Sequence, residues 1–429
     1  MRRNCLILLV TLPLLPLIFS CHKDHSGSGL SSPGGTPPVL NTVAISSITD
    51  SGAICEGNFT VDGTLSITTR GIEWDTNASF PNHLLLTAGG GIGDYKGTLT
   101  GLVANTRYYA RAFAGTDTST YFGNVLSFTT TYTAGKFLVT TIAGTGAAGF
   151  DNGDTAHATF YLPQGAATDQ AGNIYIADFK NHAIRKITPG GEVSTFVTLG
   201  GVPNDIVTDS AGNIYVAEVD YKILKITPAG QVSTFAGSGL QGHVDATGTA
   251  AKFYGPITIA IDAAGNLFVG DYDNFRKITP AGVVTTLQNY FPGAFCIAIA
   301  VDRQNNIFES SGYALVKVDS SGSETFLAGT GKPGFSNGTG TAAAFSFLNE
   351  LRLDGGQNLI GSDAQNNRIR MITRDGVVST LAGTGAVGAQ DGNSAIATFN
   401  GPTGLAVDNA GNIIVPDYYN NKIRKISPL

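Results

Sequence analysis

From residue 136 to the end, short apolar runs alternate with clusters of Gly, Asp, Asn and Pro. Runs this short, bounded by turn residues and rich in Ile, Val and Tyr, predict strands and tight turns. In the first unit four strands are expected, over 164–169, 173–178, 182–188 and 192–197. The second is apolar on both faces, with Ile174 and Ile176 on one side and Tyr175 and Ala177 on the other. A strand that hides both faces lies between two packed layers. The pattern then returns. Asp-x-x-x-Asn begins at Asp169, Asp209, Asp262, Asp302, Asp354 and Asp408, each time between two apolar runs. Such self-similarity means stacked supersecondary units. The turns after the third strands read Thr188-Pro189-Gly190-Gly191, Thr227-Pro228-Ala229-Gly230 and Thr279-Pro280-Ala281-Gly282. Proline presets φ early in such a turn and glycine accepts positive φ at its end.

The sixth unit stops at Ser427-Pro428-Leu429, where its fourth strand should begin. A matching run, Phe137-Leu138-Val139-Thr140-Thr141-Ile142, precedes unit one and reads like Val193-Ser194-Thr195-Phe196 and Val378-Ser379-Thr380-Leu381. The N-terminal run is expected to complete the last unit and so remove an open edge. This predicts a six-bladed β-propeller over 136–429. The run Gly172-Asn173-Ile174-Tyr175-Ile176-Ala177-Asp178, followed by Ile184-Arg185-Lys186-Ile187 and echoed by Ile423-Arg424-Lys425-Ile426, resembles NHL repeats. Units four (Asn305-Asn306, Glu309-Ser310) and five (Gly355-Gly356-Gln357-Asn358) depart most from that text.

Residues 39–131 read differently. Short β-rich runs such as 42–46, 65–68, 71–74 and 108–114 predict a seven-strand sandwich. The stretch Leu102-Val103-Ala104-Asn105-Thr106-Arg107-Tyr108-Tyr109 resembles the tyrosine-corner region of fibronectin type III domains. Trp74, the only tryptophan, is expected in that core. The fold class is therefore all-β, an immunoglobulin/fibronectin-like sandwich followed by the closed propeller.

The first 21 residues carry a basic start (Arg2, Arg3) and an apolar stretch from Cys5 to Phe19, short for a membrane span. They end Leu17-Ile18-Phe19-Ser20-Cys21, which resembles a bacterial lipobox; the resemblance implies cleavage before Cys21 and lipidation of its thiol. His22-Lys23-Asp24 resembles surface-export signals of Bacteroidetes lipoproteins. Residues 22–38 are a Gly/Ser/Pro tether, flexible by composition. A lipid-anchored protein at the outer membrane or cell surface follows as the expectation. Only Cys55 and Cys296 remain beyond the leader, in different domains, so no staple is expected. With 42% apolar and 14% charged residues the chain can bury a sizeable core. A net charge of −6 argues against a nucleic-acid partner.

Four long connections, 143–169, 236–262, 328–354 and 382–408, precede units one, three, five and six, and each holds a phenylalanine: Phe160, Phe253, Phe345 and Phe399. Strand alternation puts these inserts on one face, where they are expected to crowd the channel rim, with the second-to-third turns beside them. That face is the binding-face candidate, with Tyr161 and Tyr254 as ligand contacts. The turns there carry Asp178, Glu218, Asp271, Asp363 and Asp417, expected to cap their own turns. Four residues before each repeated Asp, units two and five break a small-residue rule with Asp205 and Glu350, each preceded by asparagine (Asn204, Asn349). Arg352 lies two residues past Glu350. These side chains at the channel mouth suit a ligand or a hard cation such as Ca²⁺, although opposite blades are expected to be too far apart for one ion to touch both. No other cofactor is expected. Gluconolactonase-like propellers use a Glu/Asn/Asp metal set, and the amidating lyase among NHL proteins uses zinc-bound histidines. His157, His182 and His243 do not occupy equivalent positions here, and no catalytic residue carries over. The expectation is a non-catalytic binding module for an envelope or extracellular protein or glycan, with a metal-dependent propeller hydrolase or lyase as the alternative.

Overall fold

A computed structural model of the chain describes residues 39–429 apart from 50, 61–65, 82, 103–105, 131–135, 273 and 288–295. The expected leader, Cys21 and the tether lie outside the described residues, as does the middle of the tyrosine-corner segment.

The first domain is a sandwich. Val39–Ser46, Gly52–Thr60 and Gly93–Thr100 form one antiparallel sheet. Leu84–Thr87, Thr69–Asp75 and Arg107–Gly115 form the other, followed by a last strand in two pieces, Thr120–Phe122 and Leu126–Thr129, which both pair with Arg107–Gly115. The break arises where Asn124 turns to the opposite sheet: its Oδ1 accepts from Thr42 N at 2.9 Å and its carbonyl from Thr42 Oγ1 at 2.5 Å. Trp74, Phe59, Ile72, Leu99 and Tyr108 fill the space between the sheets. Of the expected strand at 65–68, residue 65 lies outside the described residues and 66–68 are not strand; pairing starts at Thr69.

Six antiparallel sheets follow; in the first five the four main strands run from inner to outer in chain order, and in the sixth the fourth strand comes from the N-terminal end of the propeller. Blade one is Pro163–Thr168, Ile174–Asp178, Ala183–Ile187 and Val193–Thr198, each within one residue of expectation. The repeated Asp-x-x-x-Asn locks the first hairpin of every blade. In blade one, Asp169 Oδ1 accepts from Asn173 N at 2.9 Å and Oδ2 from Asn173 Nδ2 at 2.7 Å; the pair recurs down to Asp408–Asn412. Such a side-chain clamp satisfies turn amides that the ladder leaves over.

The ring closes as the sequence predicts. Phe137–Ala143 pairs antiparallel with Lys422–Pro428, and Ile426 faces Val139. Both residues are fully buried. Closure by this strand ties the chain's first propeller segment to its last blade and leaves no unpaired gap in the ring.

The inserts behave differently from expectation. They do not stack around the channel rim. Each leaves the binding-candidate face, runs down the outer edge of its own blade and returns. Gly153 bridges Val193, Thr247 bridges Val283, Gly338 pairs with Val378 and Gly392 pairs with Val139. The reason is edge protection: the outermost strand of a blade presents unpaired amides and carbonyls, and a short added segment covers them.

Candidate functional site

The inserts are fastened by four buried ion pairs. Arg185, Arg276, Arg370 and Arg424 are completely buried on the third strands of blades one, three, five and six. Each meets the aspartate that ends the second strand: Asp178 at 3.0 Å, Asp271 at 3.0 Å, Asp363 at 2.5 Å and Asp417 at 2.8 Å. Each guanidinium also lies 5.0–5.2 Å from the insert phenylalanine's ring centre and donates to insert carbonyls, as Arg185 does to Thr159 O and Asp151 O. Burial pushes all four aspartates above their ordinary range, against the pull of their hydrogen-bond donors and the arginines. The aspartates do not cap their own turns, which carry no side-chain cap bond in blades one, five and six. Their second oxygen instead accepts the backbone N–H that follows the phenylalanine, from Tyr161, Tyr254, Ser346 and Asn400. Blades two and four lack an insert and have Leu224 and Val316 in place of the arginine. That correlation was legible in the sequence and was missed there.

The channel-mouth residues do converge. Asn204, Asp205, Asn349 and Glu350 line one small pocket with Gln164, Gly165, Ile257 and Gly404, of only about 10 Å³. Opposite blades prove near enough for contact, contrary to expectation. Arg352 on blade five donates through Nη2 to Asp205 on blade two at 3.2 Å, and through Nη1 to Glu350. The guanidinium therefore occupies the place between the carboxylates where an external cation would sit. Asp205 further accepts from Ile259 N at 2.8 Å and Thr258 Oγ1 at 3.3 Å. Asn204 donates to Ile257 O at 2.7 Å and accepts from Gln164 Nε2 at 2.5 Å, stitching the inner strands of three blades. Burial raises Glu350 well above the ordinary carboxylate range; Arg352 opposes that shift and Asp205 adds to it. Among the described residues, no group of three or more His, Cys, Asp and Glu side chains is placed to hold a metal ion.

Tyr161 and Tyr254 lie apart from this pocket, on the inserts of blades one and three, and are 42% and 37% exposed. Tyr254 is the centre of an aromatic cluster. The His243 ring stacks on it at 5.1 Å and 9°, and Tyr272 lies against it at 5.1 Å. His243 also reaches Asn274 Nδ2 at 3.1 Å and Asp271 at 3.7 Å. Tyr272 is half-exposed and holds a left-handed φ of +61°, a conformation that costs a non-glycine residue about 1–2 kcal/mol. Its turn is shorter than those of the other inserted blades, with five residues from Asp271 to Arg276 against seven from Asp178 to Arg185. That shortening was visible in the sequence, and neither Tyr272 nor His243 was expected as a surface contact. A second group, Phe179, Tyr418 and Tyr419, edges together on the same face at the seam of blades six and one.

The NHL repeat family matches at residues 160–187 and 399–426. The fold is a β-propeller, and two of its blades, one and six, carry matches to the NHL repeat. No curated protein matches the chain. Among solved structures, a protein of unknown function from Bacteroides thetaiotaomicron aligns with TM-score 0.61 and 17% identity, over 91% of this chain and 98% of that one. An auxiliary nutrient binding protein from Bacteroides ovatus aligns with TM-score 0.58 and 15% identity, over 92% and 98%. A gluconolactonase from Xanthomonas campestris aligns with TM-score 0.50 and 11% identity, over 69% and 91%. At these identities the likeness is one of fold.

Proposed function

We propose that this protein is a lipid-anchored envelope protein, held to the outer membrane through Cys21, whose propeller binds a glycan on the insert-bearing face without chemical conversion. The observation that carries the reading is the His243–Tyr254–Tyr272 cluster, an exposed aromatic surface beside the amide of Asn274. Aromatic faces stack on the C–H faces of sugar rings, and neighbouring amides and imidazoles read hydroxyl groups; an exposed apolar patch of this kind marks a binding site. Tyr272 adds weight, since strained exposed residues cluster where ligands bind. An auxiliary nutrient binding protein among the structures of like fold agrees with this reading. The sandwich then serves as a spacer between anchor and propeller.

The test is a glycan array with the mature protein, followed by calorimetry on the best ligand. Tyr254→Ala and Tyr161→Ala are expected to weaken binding with little change in melting temperature. Glycan binding unaffected by either variant, or a protein partner captured in place of any glycan, would discard the reading. The metal-dependent alternative predicts stoichiometric metal in the purified protein, lost in Asp205→Ala.

A further inference from the structure

The Asp205–Arg352–Glu350 bar divides the propeller channel into two unequal parts. On the insert side lies the small polar pocket. On the opposite side, toward the tight turns, lies a well of about 340 Å³, at the lower end of the volumes that hold small ligands. Its walls are built from the inner-strand positions two residues before each repeated aspartate. These are Ala167, Ala260, Ala300 and Ala406, with Val207 and then Arg352. Four alanines in six places keep the bore open where larger side chains would fill it.

The well is chemically one-sided. Among the described residues, Arg352 is the only charged side chain that lines it; Asp205 and Glu350 line the pocket beyond the bar. The wall hydroxyls are spent on neighbouring blades, since Thr208 Oγ1 donates to Thr168 O at 2.7 Å and Thr168 Oγ1 to Val407 O at 3.2 Å. The remaining wall side chains are aliphatic apart from Asn409, whose Nδ2 donates to Gln170 O at 3.3 Å, and polar backbone atoms share the exposed surface with them. At the floor, Arg352 Nη1 donates to Glu350 and Leu351 O, and Nη2 donates to Asp205 and Ile206 O. A guanidinium has five N–H donors, and the fifth, on Nε, has no acceptor among the described residues. The same face carries the contact between the domains, where Arg107 of the sandwich meets Asp375 in a blade-five turn at 2.7 Å.

We propose that this well is a second binding site, distinct from the aromatic face, for a small organic monocarboxylate with a compact apolar body. The carboxylate takes the floor, where it meets the guanidinium edge. The body packs against the alanine ring. The molecule enters from the side facing the sandwich. Charge-assisted bonds between guanidinium and carboxylate are stronger than neutral ones, so an anion is preferred over its amide.

The probes are benzoate and its neutral analogue benzamide, titrated calorimetrically into the full mature protein. Saturable one-to-one binding of benzoate is expected, with benzamide at least about tenfold weaker. Ala300→Leu and Ala260→Leu fill the bore without touching the bar, and each is expected to weaken benzoate at least about tenfold. Tyr254→Ala, on the other face, is expected to leave it unchanged. The proposal is overturned if the folded wild-type protein shows no saturable benzoate binding, if benzamide binds as well, or if a folded bore-filling variant binds like the wild type. Because Tyr254→Ala separates the two faces, failure here does not bear on the glycan site.

Discussion

Arg352 of blade five reaches across the channel to Asp205 of blade two, with Nη2 and Oδ1 3.2 Å apart. Both are held by neighbours that a single blade cannot supply. The contact converts a ring of six modules into one braced across its centre.

Removing the cation from that brace leaves two buried carboxylates without their partner. Truncating one member of a buried pair typically costs about 3–5 kcal/mol. Arg352→Ala is therefore expected to lower stability by roughly that amount, measured by chemical denaturation, whereas Arg352→Lys keeps the charge and loses less.

Glu350 gives a pH dependence with a definite sign. Burial first, with Asp205 adding and Arg352 opposing, holds its folded-state proton affinity well above the ordinary value of 4.5. The folded protein then binds more protons than the unfolded chain, so this group's contribution is full below pH 4.5 and is lost as pH rises through the folded value. Glu350→Gln, which cannot ionise, is expected to lose less stability than the wild type over that rise. Melting curves of both proteins across the acid-to-neutral range check it; parallel curves would refute it.

The insert clamps allow a double-mutant test. Arg185→Val alone strands Asp178 without its cation and is expected to cost about 3–5 kcal/mol. Blade four carries Ser311 and Val316 at the matching positions. Asp178→Ser with Arg185→Val copies that arrangement and is expected to recover part of the loss, because no charge then stays buried. Amide exchange over 144–160 is expected to accelerate in the single variant, which would show that the arginine holds the insert down.

Closure is tested at Ile426, buried opposite Val139. Ile426→Ala is expected to cost about 2–5 kcal/mol. Deleting 136–143 removes the outer strand of blade six and is expected to abolish cooperative melting of the whole propeller, since the ring would open.

The thiols of Cys55 and Cys296 are expected to be inert in the native state. Burial, with help from Glu56, raises Cys55 to about 12, and burial, with Glu309 adding, raises Cys296 well above the ordinary thiol value. A thiol reagent at pH 8 is expected to label neither until denaturant is added.

The sequence by itself determined the modules. Asp-x-x-x-Asn, the two-sided apolar strands and the orphan run at Val139 are local signals, and local hydrogen bonding with period-two burial suffices to read them. The four strands of blade one followed within a residue, and the ring closed through Val139 and Ile426. The tertiary structure decided what side chains do when distant segments meet. Asp205 and Arg352 stand 147 positions apart, and no spacing rule reports the width of a closed channel. The inserts looked like rim loops because strand direction fixes only where they start and end; the need to cover outer edges sets their path. Tyr254 was legible as a surface tyrosine, but its stack on His243 and Tyr272 arises only once an insert folds back over a shortened turn.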